Sequence, residues 1–127
     1  MKKLTLFFWL IFIFIMSSMD ADSSGALSKS IVDILGITIS NGHYLVRKMG
    51  HAVEFFILGL LVFRITKGNI LSLLFPITFA CLDEIHQFFV PGRFMFIGDV
   101  FIDSTGVVFA FILYRYYLSI KNRLVKN

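Results

Sequence analysis

Residues 70–90 are long enough to cross a bilayer as a helix, yet the last third of that stretch carries Asp83, Glu84, His86 and Gln87. A charged side chain at membrane depth costs roughly 2.5 to 3.5 kcal/mol on insertion scales, so such groups face a protein interior or a polar cavity rather than lipid. Hydrocarbon offers the backbone no partners, which leaves helices or a closed barrel as spanning forms. Further apolar runs cover residues about 4–19, 51–66 and 97–118, each far longer than a barrel strand. The chain therefore reads as an all-α membrane protein, a single domain over residues 1–127 with about four transmembrane helices. A charged fraction of 16% and a mean hydropathy of +0.84 agree with this, since soluble domains carry about 25% charge.

Charge then sets the topology. The net charge of +4 could suggest nucleic acid, but the basic residues are spread over loops and ends, where membrane orientation accounts for them. No nucleic-acid partner is expected. Lys2 and Lys3, then Arg64 and Lys67, then Arg115, Lys121, Arg123 and Lys126 all fall on one side of a four-span chain. That side is cytoplasmic by the positive-inside rule, and so are both termini, with a basic tail at 119–127. The tail is expected to meet membrane lipids of negative charge. Lys29, Arg47, Lys48 and Arg93 run against the bias. The last three lie beside polar groups of the spans, as basic residues kept for a site would.

The first run begins after Lys2 and Lys3 and ends at Ser17-Ser18. The small-x-small pattern of a cleavable signal is poor near Met19-Asp20-Ala21, so an uncleaved first span is expected. Residues 20–50 form the first outer loop, within which Leu27, Ile31, Ile34 and Leu35 recur at helical spacing. They predict a short amphipathic helix lying on the membrane or capping the bundle. Pro76 should kink the third span, and Pro91-Gly92 should end it. The lone Cys81 leaves no internal disulfide and no multi-cysteine metal cage.

At about 100° per residue, Asp83, His86, Gln87 and Val90 share one face of the third helix, with Glu84 at its margin. Asp99, Asp103 and Gly106 share a stripe on the fourth, as do Arg47, His51, Glu54 and Phe55 on the second if it extends back to Arg47. All lie in the outward half of their spans. They predict an outward-opening cleft whose ligand-binding residues are Lys48, His51, Glu54, Asp83, Glu84, His86, Gln87, Arg93, Asp99 and Asp103. Three chemistries fit such a set. His51, Glu54, Asp83, His86, Asp99 and Asp103 include nitrogen and oxygen ligands for a divalent metal. His86, Asp83 and Glu54 are acid/base candidates. Arg93 and its basic neighbours could grip an anionic headgroup. Plainer readings compete: His51 with Glu54 as a pair at a span's end, Asp99 and Asp103 as favourable charges at a helix start. Gly59 and Gly106 read as close-packing positions.

Three blocks resemble the VanZ-like family of small bacterial membrane proteins. They are Lys48-x-x-His51-x-x-Glu54-Phe55, then Asp83-Glu84-x-His86-Gln87-x-Phe89-Val90-Pro91-Gly92-Arg93, then Asp99-x-x-x-Asp103-x-x-Gly106. Ser17, Ser18, Ser24 and Ser28 look like that family's Ser-rich entry to its outer loop. The chain departs from the pattern at Phe55, where Tyr is usual, at Asp103, where Asn is usual, and at Ala110, where a second glycine is common. The resemblance implies a multi-pass protein of the bacterial cytoplasmic membrane with a role in the cell envelope. The family's naming member is associated with low-level resistance to teicoplanin, a lipoglycopeptide.

Two functions follow as expectations. In the first, the cleft binds a lipid-linked cell-wall intermediate or a lipoglycopeptide and the protein is not an enzyme. In the second, it is a small intramembrane hydrolase or transferase acting on a lipid-linked envelope substrate, using a metal or acid/base chemistry.

Overall fold

The computed structural model describes residues 1–126 and the side chains of residues 1–125, so the Lys126 side chain and Asn127 of the expected basic tail lie outside the described residues. Five α-helices and one 3-10 turn follow in order: α1 (Lys2–Ser17), α2 (Ala21–Leu35), α3 (Gly42–Thr66), the 3-10 turn (Ile70–Leu73), α4 (Leu74–Phe88) and α5 (Ile97–Lys126). Among the described residues there is no strand. Gly42–Thr66, Ile70–Phe88 and Ile97–Val125 are each long and apolar enough to cross a membrane. Lys2–Ser17 and Ala21–Leu35, bent by 105° at their junction, together provide a fourth candidate. The protein is an all-α membrane bundle.

The bend has a local cause. The Asp20 carboxylate accepts the Ser23 backbone N–H at 2.7 Å and so starts a new helix three residues after α1 stops. That bond holds the Asp20 carboxyl below its ordinary value. With its 16 residues α1 rises only about 24 Å, short of the roughly 30 Å of hydrocarbon. The outer loop is mostly helix: α2 takes up Leu27, Ile31, Ile34 and Leu35, and α3 begins at Gly42 rather than near His51. Its one buried residue is Ser28, while Ile34 and Leu35 stay exposed. Gly36, at φ 63°, ends α2 in the left-handed conformation that glycine adopts without strain.

α3 is the axis, with α1, α2, α4 and α5 all packed against it. Phe55, Leu58, Val62 and Phe63 of α3 meet Ile13, Ala80, Val107 and Ala110 in one core. The closest approach is to α5. A Cβ on Gly106 would run into the Ala52 carbonyl oxygen, and one on Gly59 would sit 3.1 Å from the Ala110 Cβ. Ala110 comes this close to α3 because Gly59 faces it. Trp9 Nε1 donates to the Glu54 carbonyl at 3.0 Å and fastens α1 to the same helix.

Pro76 falls in the first turn of α4, where backbone N–H groups lack intrahelical partners and a missing one costs little. The 3-10 turn Ile70–Leu73 directly precedes that turn. Lys2, Arg64 and Lys121 line one cleft, so the start of α1 and the last turns of α5 share one end of the bundle. Lys48 and Arg64 are both on α3, and at about 1.5 Å per residue roughly 24 Å separates them along its axis. The polar groups near Lys48 therefore occupy the other end.

Candidate functional site

At that other end three helices and one loop deliver the polar side chains. From α3 come Lys48, His51 and Glu54, from α4 Asp83, Glu84 and Gln87, and from α5 Asp99 and Asp103. His51, Asp83, Glu84, Gln87, Asp99 and Asp103 are buried. Lys48 Nζ makes an ion pair with the Asp99 carboxylate, joining α3 to the first turn of α5. Gln87 Nε2 donates to Asp83 Oδ2 at 2.8 Å, one helical turn away. Glu84, at the margin of the Asp83 face, is fully buried, and its Oε2 accepts the Phe96 backbone N–H at 2.9 Å and anchors the loop that leads into α5.

Arg93 draws the loop inward. Its guanidinium donates to the carbonyls of Ser17 at 3.3 Å and Met19 at 3.4 Å, and lies 3.5 Å from His51 Nε2. A guanidinium can only donate, so that geometry makes Nε2 the acceptor and places the ring proton on Nδ1, 4.0 Å from Glu54 Oε2. Burial and the nearby Arg47 pull Arg93 below its ordinary value, while Asp83, Glu84 and Asp99 act the other way. Gly92, at φ 72°, permits the turn, and the Pro91 carbonyl accepts the Ala21 N–H at 3.3 Å, seating the loop on the start of α2.

Asp103 lies deepest. It is 0% exposed and within Coulombic range of Asp83, Glu84, Asp99 and Glu54, so carboxylates from three helices do gather. Neither of its oxygens has a hydrogen-bond partner, and Ser17 Oγ, His51 Nδ1 and Glu84 Oε1 are likewise buried and unpaired.

His86 stands apart from this group. Its Nε2 lies 3.0 Å from Ser18 Oγ and its ring lies 4.7 Å from that of Phe14, both at the end of α1. The Ser18 hydroxyl donates to the Phe14 carbonyl at 2.6 Å, so it receives its second bond from the imidazole. That arrangement ties α4 to α1 and makes Nε2 a donor toward Ser18 rather than its base. Among the described residues, no three of the His, Cys, Asp and Glu side chains are grouped so as to hold a metal ion.

Above the carboxylates lies a cleft of about 320 Å³. Its lining combines Arg47, Lys48 and Arg93 with the rings of Tyr44, Phe94 and Phe96, and with Gln87 and Asp99. Lys48 Nζ sits 5.0 Å from the Tyr44 ring and 5.4 Å from the Phe96 ring. A smaller cleft beside it, lined by Ser24, Ser28, His51 and Glu54, shares Arg47 and Arg93. The aromatic wall is what sequence reasoning missed. Tyr44 lies one turn before Lys48 on the same helix face, a spacing that becomes visible once α3 is begun at Gly42.

A family model described as VanZ/LLP1 matches residues 3–120 of the chain. No curated protein and no solved structure matches it.

Proposed function

The chain belongs to the VanZ/LLP1 family, and from that premise we propose that it is a bacterial envelope protein whose cleft binds an amphiphile with an anionic headgroup. A lipid-linked cell-wall intermediate or a lipoglycopeptide of the teicoplanin type is such a ligand. One observation carries the reading: Arg47, Lys48 and Arg93 share a cleft with Tyr44, Phe94 and Phe96 at a helix end. Guanidinium groups suit phosphate or carboxylate, and the rings suit the sugar or chain next to it. The cleft lies at the end away from Lys2, Arg64 and Lys121, and the positive-inside rule supports reading that end as extracytoplasmic. Both termini are then cytoplasmic, and a contribution to teicoplanin-type resistance follows from the same cleft.

The test has two arms. Purified protein in neutral detergent is titrated with a polyprenyl phosphate and with teicoplanin, and a deletion strain is complemented with Arg93→Gln or Arg47→Gln. Binding and reduced susceptibility should both fall in well-expressed variants. Unchanged binding and unchanged susceptibility would remove the cleft from the account.

A second reading, an intramembrane acid/base enzyme on a lipid-linked substrate, is favoured by Asp103. A buried carboxyl group with both oxygens unpaired can exchange a proton and has no evident structural task. Turnover of membrane-extracted lipid by the purified chain, lost in Asp103→Asn, is its signature, and no product after prolonged incubation with such lipid counts against it.

A further inference from the structure

We propose that the end of the bundle opposite the polar cleft holds a second binding site, for an anionic phospholipid, seated between α1 and α5 on the face of α3. α1 and α5 each pack against α3 but make almost no contact with one another. The gap between them is a cleft of about 640 Å³ with Leu60, Leu61 and Leu118 in its walls and Lys2, Arg64 and Lys121 lining it. Three helices thus contribute one cation each to a single apolar slot.

Among the described residues those cations have no protein counter-charge. Every Asp and Glu of the chain lies within residues 20–54 or 83–103, and none in the segments that build this end. Among the described residues the ion pair is Lys48 with Asp99, and the neutral His51 lies 4.0 Å from Glu54, both at the other end. Arg115 shows the contrast: it donates to the Gly68 carbonyl at 3.3 Å and lies over the Phe111 ring. Among the described residues Lys2, Arg64 and Lys121 make no such side-chain contact.

Unpaired cations at the mouth of an apolar slot fit a ligand with both a negative head and a hydrocarbon tail. A soluble anion would leave the leucine walls empty, and a zwitterionic head would bring its own cation to the three already there. A phosphodiester of net negative charge answers both. Arg64 can hold two of its oxygens in a fork while Lys2 and Lys121 act as point charges, and an acyl chain lies along α3. Basic pockets between membrane helices recognise lipid headgroups in this way.

Native mass spectrometry of the full chain tests the proposal, after exchange in neutral detergent against phosphatidylglycerol or phosphatidylcholine with the same acyl chains. One phosphatidylglycerol should be retained in preference to phosphatidylcholine. Arg64→Gln combined with Lys121→Gln should weaken retention roughly thirtyfold. Lys67→Gln with Arg123→Gln removes the same charge from residues that do not line the cleft, and should leave retention unchanged. Leu61→Trp, which fills the slot and keeps every charge, should lower it. Equal retention of the two lipids, or full retention by the Arg64→Gln, Lys121→Gln protein, overturns the proposal. Displacement by inorganic phosphate also overturns it, because that outcome marks a site for a free anion.

Discussion

Lys48 of α3 and Asp99 in the first turn of α5 form an ion pair whose side chains are 11% and 10% exposed. The same carboxylate sits where a helix start favours negative charge, and the same ammonium lies near Tyr44 and Phe96 in the cleft wall. One contact therefore fixes the α3 to α5 register and shapes the cleft.

Removing one member of that pair strands a nearly buried charge, which costs about 3 to 5 kcal/mol in comparable cases. Lys48→Met and Asp99→Asn should each destabilise the protein on that scale, and the double variant should recover most of the loss. Denaturant unfolding in detergent, followed by circular dichroism, measures all three. Losses that simply add would show that the two residues act separately.

Gly106 and Gly50 make a matched pair of opposite sign. Gly106→Ala drives a methyl into the Ala52 carbonyl and should separate α3 from α5, with overpacking costing about 1 to 3 kcal/mol. At Gly50 an added Cβ meets nothing within 4 Å, so Gly50→Ala should gain up to about 1 kcal/mol of helix propensity. The same unfolding assay decides both. A neutral Gly106→Ala would mean that the helices stand further apart than described.

Asp20 supplies a pH dependence confined to one helix end. Its carboxyl is held below the ordinary 3.8, chiefly by the Ser23 backbone N–H. A lowered folded value stabilises: the contribution is complete above pH 3.8 and is lost as pH falls through the lower folded value. Protection of the Ser23 amide against hydrogen exchange, corrected for intrinsic rate, should drop over that acid range. In Asp20→Asn the amide oxygen still caps but does not titrate, so its protection should stay flat. Identical profiles for the two proteins would disprove the cap's role.

Membrane class, helix content and the three polar blocks were legible in the sequence because each rests on a local rule: apolar run length, helical periodicity, or the cost of charge in lipid. What escaped depended on tertiary partners. His86 shares a helix with Asp83 but bonds Ser18 of α1, a residue with no reason in its own neighbourhood to attract an imidazole. Glu84 accepts a backbone N–H twelve residues on, a partner that helix periodicity does not reveal. Pro76 marked the third span's entry rather than its middle, since periodicity does not separate a 3-10 turn from the α-helix after it. Phe94 and Phe96 became cleft wall only when Arg93 pulled their loop toward Ser17.

Asp103→Asn separates a working carboxylate from a structural one. Both oxygens of Asp103 are buried without a partner, and an unsatisfied buried polar atom costs about 1 to 3 kcal/mol, more when charged. Asparagine has nearly the same shape and carries no charge. Asp103→Asn should therefore fold as well as the parent chain or better, by about 1 kcal/mol or more in unfolding experiments. Stability and function then part company. If Asp103 exchanges a proton with a ligand in the cleft, the more stable protein loses lipid turnover or protection against lipoglycopeptide. Retained activity with raised stability would assign the carboxylate no part in function, and lowered stability would mean that a group not seen here pairs with its charge.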